Sequence, residues 1–118
     1  MEFEWHDEKR KSNIEKHDID FLDAIQVFEV EHFIEDRTRE EDEEERKAAI
    51  GPLPEENVPS HWSGNLIMAL FTWRSGAIRI ISARRASKDE RRRYEGHIRL
   101  SKGDGEPNGL GGSRGEDR

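Results

Sequence analysis

Hydrophobic positions along this chain come in short bursts, and their spacing sorts them into helices and strands. Phe3-Glu4-Trp5 alternates and predicts a brief first strand, whereas Asp7 to His17 is polar apart from Ile14 and predicts a helix lying largely in solvent. Asp20 then has the form of an N-cap. Behind it Phe21, Ala24, Ile25 and Phe28 recur at i, i+3, i+4 and i+7, one apolar helical stripe that should face the core. Phe33-Ile34 and Ala48-Ala49-Ile50 are short strand candidates. The charge run from Arg39 to Arg46 between them reads as a solvated loop.

From Gly51 to Gly64 the prolines Pro52, Pro54 and Pro59 predict a loop inserted between strands. Leu66 to Trp73 is almost continuously apolar, which marks a strand buried on both faces at the centre of the sheet. Arg74-Ser75-Gly76 supplies a tight turn, and Ala77 to Arg84 returns as the second strand of a hairpin. Strict alternation puts Ile78, Ile80, Ser82 and Arg84 on one face and Arg79, Ile81, Ala83 and Arg85 on the other. Ser87 caps a last helix, Glu90 completes a capping box, and Gly96 ends it. The expected fold is α+β, a small antiparallel sheet with two N-terminal helices and one C-terminal helix. It forms a single domain over residues 1–100, with 51–64 as an inserted loop and 101–118 as a disordered Gly-rich tail.

A chain of 118 residues has material for one modest core, and 31% hydrophobic against 40% charged residues keeps that core small. With no cysteine, disulfide and thiol chemistry are excluded and a reducing compartment is suited. The N-terminus has no basic segment followed by an apolar one, and no window approaches the ~18 apolar residues of a membrane span. A cytoplasmic protein with no membrane contact is therefore expected. The net charge of −7 hides a division along the chain. Residues 1–63 carry 8 basic against 20 acidic side chains, whereas 74–102 carry ten basic against three acidic. Such a local basic field attracts a polyanion even on an acidic protein.

The segment from Arg74 to Tyr94 concentrates that charge. Its helix, Lys88 to Tyr94, has little apolar surface to bury, and its arginines partly serve the helix dipole. They also suit RNA cleavage, in which a 2′-hydroxyl attacks phosphorus and negative charge builds on the phosphoryl oxygens that guanidinium groups stabilise. The proton carriers such a reaction needs could be His17, Lys16, Glu90 or Tyr94, and spacing alone assigns none of them. Trp5 and Trp73 are expected in the core, while Trp62, in the inserted loop, is a candidate for stacking on a base. No histidine pair has metal-ligand spacing, so neither metal nor other cofactor is expected.

The residues resemble one family in particular. Phe3-Glu4-Trp5, Asn13, Lys16-His17, Phe21, Ala24 and Val27-Phe28 follow the opening pattern of the BrnT toxins. Arg46-Lys-Ala-Ala-Ile-Gly51, Thr72-Trp-Arg74 and Ile78-Arg-Ile-Ile-Ser-Ala-Arg-Arg-Ala-Ser87, with Glu90, Arg91 and Tyr94, are similar to its ending. The resemblance spans about residues 2–95. It implies a type II toxin of RelE-like fold, an RNA endonuclease that arrests growth until neutralised. Its partner would be a BrnA-like antitoxin, through which alone the toxin meets DNA. Carried over by position, the catalytic candidates are Arg46, Thr72, Arg74, Arg84, Glu90, Lys16 and His17, with Arg85, Arg91 and Tyr94 as RNA contacts. The chain departs from the pattern at Asp18, where the family has glycine, and in the length of the 51–64 loop. The rival readings are a catalytically inactive module that binds the antitoxin or another acidic partner, and DNA binding by this chain itself. The second lacks a helix-turn-helix pair.

Overall fold

The computed structural model describes residues 1–101. Strands Glu2–Glu4 (β1), Phe33–Asp36 (β2), Lys47–Pro52 (β3), Leu66–Arg74 (β4) and Ala77–Arg85 (β5) form one sheet in the order β1-β5-β4-β3-β2. The helices are Asp7–His17 (α1), Phe21–Ala24 (α2) and Lys88–Ser101 (α3). The sheet is mixed, which corrects the antiparallel expectation: β1 runs parallel to β5, with Phe3 opposite Ile78. Alternation in a three-residue segment reveals a strand but carries no information about its direction.

Each face of the sheet has its own apolar cluster. One joins Phe21, Ala24 and Val27 to Ile67, Ala69, Phe71, Ile78, Ile80 and Ala83. The other, under α3, joins Ala48, Ile50, Met68 and Ala86, with Phe33, Leu70 and Tyr94 at its edge. The apolar stripe after Asp20 begins as α2, capped by the Asp20 side chain on Leu22 N–H at 3.0 Å, and tightens into a 3-10 turn over Ile25–Glu29. The tighter winding brings Val27 fully into the core. Trp73, expected in the core, is instead half exposed near the hairpin turn.

Apolar packing contributes little to α1, whose one apolar side chain, Ile14, is 38% exposed. A buried amide does the work instead. Asn13 donates from Nδ2 to Ile19 O at 2.9 Å and accepts the Ala83 N–H on Oδ1 at 3.0 Å, which fastens the helix to β5. Arg10 adds a two-pronged contact to Asp20. At the C-terminus of α1, Asp18 takes the left-handed conformation (φ 60°) and its N–H closes on Ile14 O at 2.9 Å, so the helix ends there without glycine.

The inserted loop begins later than Gly51. Gly51 and Pro52 still belong to β3, and a Cβ on Gly51 would lie 2.6 Å from Val27 Cγ2, so only glycine fits under the 3-10 turn. Gly96 does not end α3, which continues to Ser101. A glycine inside a helix costs only about 1 kcal/mol, and His97 beyond it packs against Phe33, the ring centroids 5.2 Å apart. Of the tail expected from 101 onward, Ser101 is therefore helical, and the remainder lies outside the described residues.

Strict alternation along β5 also fails, because a bulge interrupts it. Leu70 pairs with Ser82 and Phe71 with Ile80, so Ile81 is passed over. Ile78 and Ile80 therefore share a face with Ala83, and Arg84 is turned onto the opposite face, opposite Met68 and beneath α3.

Candidate active site

The strand β5 delivers Arg84 and, two residues past its end, the chain turns into α3 through a reciprocal cap. Glu90 N–H donates to Ser87 Oγ at 3.1 Å and Ser87 N–H to Glu90 Oε1 at 2.8 Å. The same carboxylate is buried, 2% exposed, and receives Arg84 in a fork: Nη1 to Oε1 and Nη2 to Oε2, both at 2.9 Å. Arg37 Nη2 adds a third side-chain donor at 2.7 Å. Burial pushes the Glu90 carboxyl upward, but Arg84, then Arg37 and the Ser87 N–H outweigh it and hold its pKa at about 2. At neutral pH this group has no proton to give, and its oxygens are fully engaged.

The chain of charges continues outward. Arg37 also donates to Glu35 Oε1, from Nη2 at 2.6 Å and Nε at 3.2 Å, and Arg93 grips the same carboxylate through Nε and Nη2. Arg93 lowers the Glu35 pKa most, against the opposing pull of burial, and Arg37 adds to it. Arg84, Glu90, Arg37, Glu35 and Arg93 thus form one alternating network linking β5, α3 and β2. Neither Glu35 nor Arg37 stood out in the sequence, where both belong to the acidic half. Their pairing depends on α3 crossing over β2, which no local pattern announces.

Around Arg84 a second group of residues gathers. Lys16, His17, Asp18, His61, Trp62, Arg84 and Arg85 line a groove of about 360 Å³ between the end of α1, the inserted loop and the end of β5. Arg85 lies over the Trp62 ring, 5.2 Å from its centroid, and donates from Nη2 to Ser63 O at 3.0 Å, tying the loop to the sheet. His61 Nε2 stands 3.8 Å from Asp18 Oδ2 across the groove.

The remaining candidates lie elsewhere. Thr72 is buried and donates from Oγ1 to Glu45 O at 2.6 Å. Alternation along β4 puts Thr72 and Arg74 on the α3 face with Met68, toward the hairpin and away from the groove. Arg74 is exposed there, beside the left-handed Ser75 and Gly76. Arg46 Nε is buried without a hydrogen bond, its nearest acid being Asp42 at 3.6 Å. Arg91 folds back onto Ala86 O at 3.2 Å, and Tyr94 packs at the edge of the second cluster. The structure therefore brings Lys16, His17, Arg84 and Arg85 together, adds Glu90 behind Arg84, and leaves Arg46, Thr72 and Arg74 as a separate set toward the hairpin.

A mixed five-stranded sheet thus carries, at the junction of its final strand and helix, an arginine clamped by a buried carboxylate at the wall of a groove. A family model described as "Ribonuclease toxin, BrnT, of type II toxin-antitoxin system" matches residues 5–90, and the chain belongs to this BrnT family of ribonucleases. Its membership implies an antitoxin partner. The crystal structure of the Brucella abortus ribonuclease toxin BrnT is similar, with a TM-score of 0.50 and 28% identity, over 75% of this chain and 99% of that one. Comparison with individually curated proteins gave no match. No helix among the described residues is long and apolar enough to cross a membrane.

Proposed function

We propose that this chain is a cytoplasmic endoribonuclease of RelE-like fold that cleaves cellular RNA and arrests growth until a BrnA-like antitoxin covers its basic surface. In this reading it meets DNA only through that antitoxin. The observation that carries the reading is the placement of Arg84, an arginine oriented by a buried carboxylate that is ionised at neutral pH, at the wall of a groove that also holds Lys16, His17 and Arg85. A guanidinium held in one orientation is suited to a phosphodiester whose oxygens gain charge during cleavage, because no reorganisation is needed at the moment of reaction.

In this mechanism Arg84 contacts the phosphate, and Lys16 and Arg85 hold the neighbouring backbone. Glu90 acts through Arg84 as a positioning residue rather than as a proton carrier. Arg74, exposed on the α3 face near the hairpin, lies outside the groove and takes no part in the step. Arg46 and Thr72 support the loop that closes that end. Inducible expression in a bacterial host tests the reading. The expected result is growth arrest that Arg84→Ala abolishes and that co-expression of the neighbouring gene product relieves. Full growth at high expression of the unaltered chain would favour a catalytically inactive, antitoxin-binding module.

A further inference from the structure

With Glu90 locked as an anion behind Arg84, cleavage still requires one group to take the 2′-hydroxyl proton and another to protonate the leaving 5′-oxygen. Two imidazoles line the groove. His17 comes from the last turn of α1, and His61 from the inserted loop on the opposite wall. The charged groups facing them are Asp18, Lys16, Arg84 and Arg85. His61 is itself exposed, yet the segment carrying it is anchored. Trp62 packs against the main core, its N–H closes a turn on Pro59 O at 3.0 Å, and Arg85 holds both its ring and Ser63 O. The loop is thus a fixed wall of the groove.

Resting on the ribonuclease reading, we infer that His61 is a catalytic residue acting with His17 as the proton-transfer pair of RNA cleavage. An Asp18 carboxylate oxygen stands 3.8 Å from His61 Nε2, and to the imidazole beside that anion falls the part of proton donor. His17, beside Lys16 and among arginines, is the acceptor. The step balances without a co-reactant. His17 takes the 2′-hydroxyl proton, the 2′-oxygen bonds to phosphorus, and the bond from phosphorus to the 5′-oxygen breaks. His61 then gives its proton to that oxygen. The products are a 2′,3′-cyclic phosphate and a 5′-hydroxyl. The length of the inserted loop thereby becomes functional, because it carries half of the acid–base pair.

The test uses a 5′-labelled single-stranded oligoribonucleotide containing all four bases, with its 2′-deoxy counterpart as the uncleavable control. Cleavage rates are followed from pH 5 to 9. The unaltered protein should give a bell-shaped profile, because one imidazole must be neutral and the other protonated. His61→Gln should lower the rate about 100-fold or more, within the range for loss of a general acid, and abolish the alkaline fall. His17→Gln should abolish the acidic fall instead. His61→Gln variants that melt like the unaltered protein, cleave within threefold of it and keep both limbs overturn the inference while leaving the ribonuclease reading intact. An unaltered protein that leaves the oligoribonucleotide whole removes the ribonuclease reading and this inference together.

Discussion

Glu90 receives both prongs of the Arg84 guanidinium at 2.9 Å, six residues away in sequence and across the junction of a strand and a helix. The carboxylate that caps α3 is also the one that orients the arginine at the groove, so folding of the helix and preparation of the site are one event. The first consequence concerns acid. Glu90 is held at about 2 against an ordinary value of 4.5, so its contribution to stability is fully present above about pH 4.5 and lost as pH falls toward 2. At about 1.4 kcal/mol per pKa unit, roughly 3 kcal/mol is involved. Urea unfolding at pH 7, 4 and 3 should show stability falling over this window, and Glu90→Gln should make the fall shallower, the remainder coming from other paired carboxylates such as Glu35 and Asp20. An equally steep fall in the Gln variant would assign acid sensitivity elsewhere.

Charge alone at position 84 should not suffice. A lysine carries one compact ammonium and cannot meet both oxygens of Glu90 while presenting a planar edge to phosphate. Arg84→Lys is therefore expected to lose about 100-fold or more in cleavage rate, close to Arg84→Ala, as found when a preorganised donor to a charged transition state is removed. Measured kcat and KM should show the loss chiefly in kcat. A lysine variant within a few fold of the unaltered protein would show that general electrostatic attraction explains the arginine.

Arg37 shares Glu90 with Arg84 and Glu35 with Arg93, which makes it the centre of the network. Arg37→Ala should cost about 1–2 kcal/mol in urea unfolding, a charge-assisted pair being worth that much where it is partly sheltered. It should also leave a shallower acid dependence, because Arg84 alone then depresses Glu90. In a double-mutant cycle with Glu90→Gln, the combined loss should fall short of the two single losses added together, as residues in one network require. Strict additivity would show that the contact contributes nothing to the folded state.

Legibility in the sequence followed the range of the interaction. The capping box at Ser87 and Glu90, the Asp20 cap and the β4–β5 hairpin depend on neighbours within a few residues, and all could be read directly. The direction of β1 and the face of Arg84 could not. The first depends on what a short edge strand docks against, and the second on a bulge at Ile81 that breaks the period of two with no glycine to mark it. The partners of Glu90 illustrate the same limit. Arg84 lies six residues away, but Arg37 lies 53 residues away, just ahead of the charge run from Arg39 to Arg46 that read as a solvated loop. Lys16 and His17 were legible as a pair, whereas His61 gained meaning only when the loop closed over them.

Asn13 provides a test of how α1 is held in place. Ile14 is the one apolar side chain of the helix, so much of its anchoring falls to one amide that donates to Ile19 O and accepts from Ala83 N–H. Asn13→Ala leaves both backbone groups without a partner, and an unsatisfied buried group costs about 1–3 kcal/mol. Asn13→Asp keeps the acceptor for Ala83 but faces the Ile19 carbonyl with a carboxylate, so it should be at least as destabilising near neutral pH. It should recover partly in mild acid, where a protonated side chain can donate again. Because Lys16 and His17 sit in the next turn of the same helix, loosening it should also widen the groove. The Ala variant should therefore lose RNA cleavage more steeply with temperature than its melting curve alone accounts for. Hydrogen exchange at the Ala83 amide measures the anchor directly: protection should drop in the Ala variant while that of Phe71, across the sheet, stays high. Unchanged protection at Ala83 would mean that α1 is held by its flanking contacts, with Arg10 and Asp20 foremost.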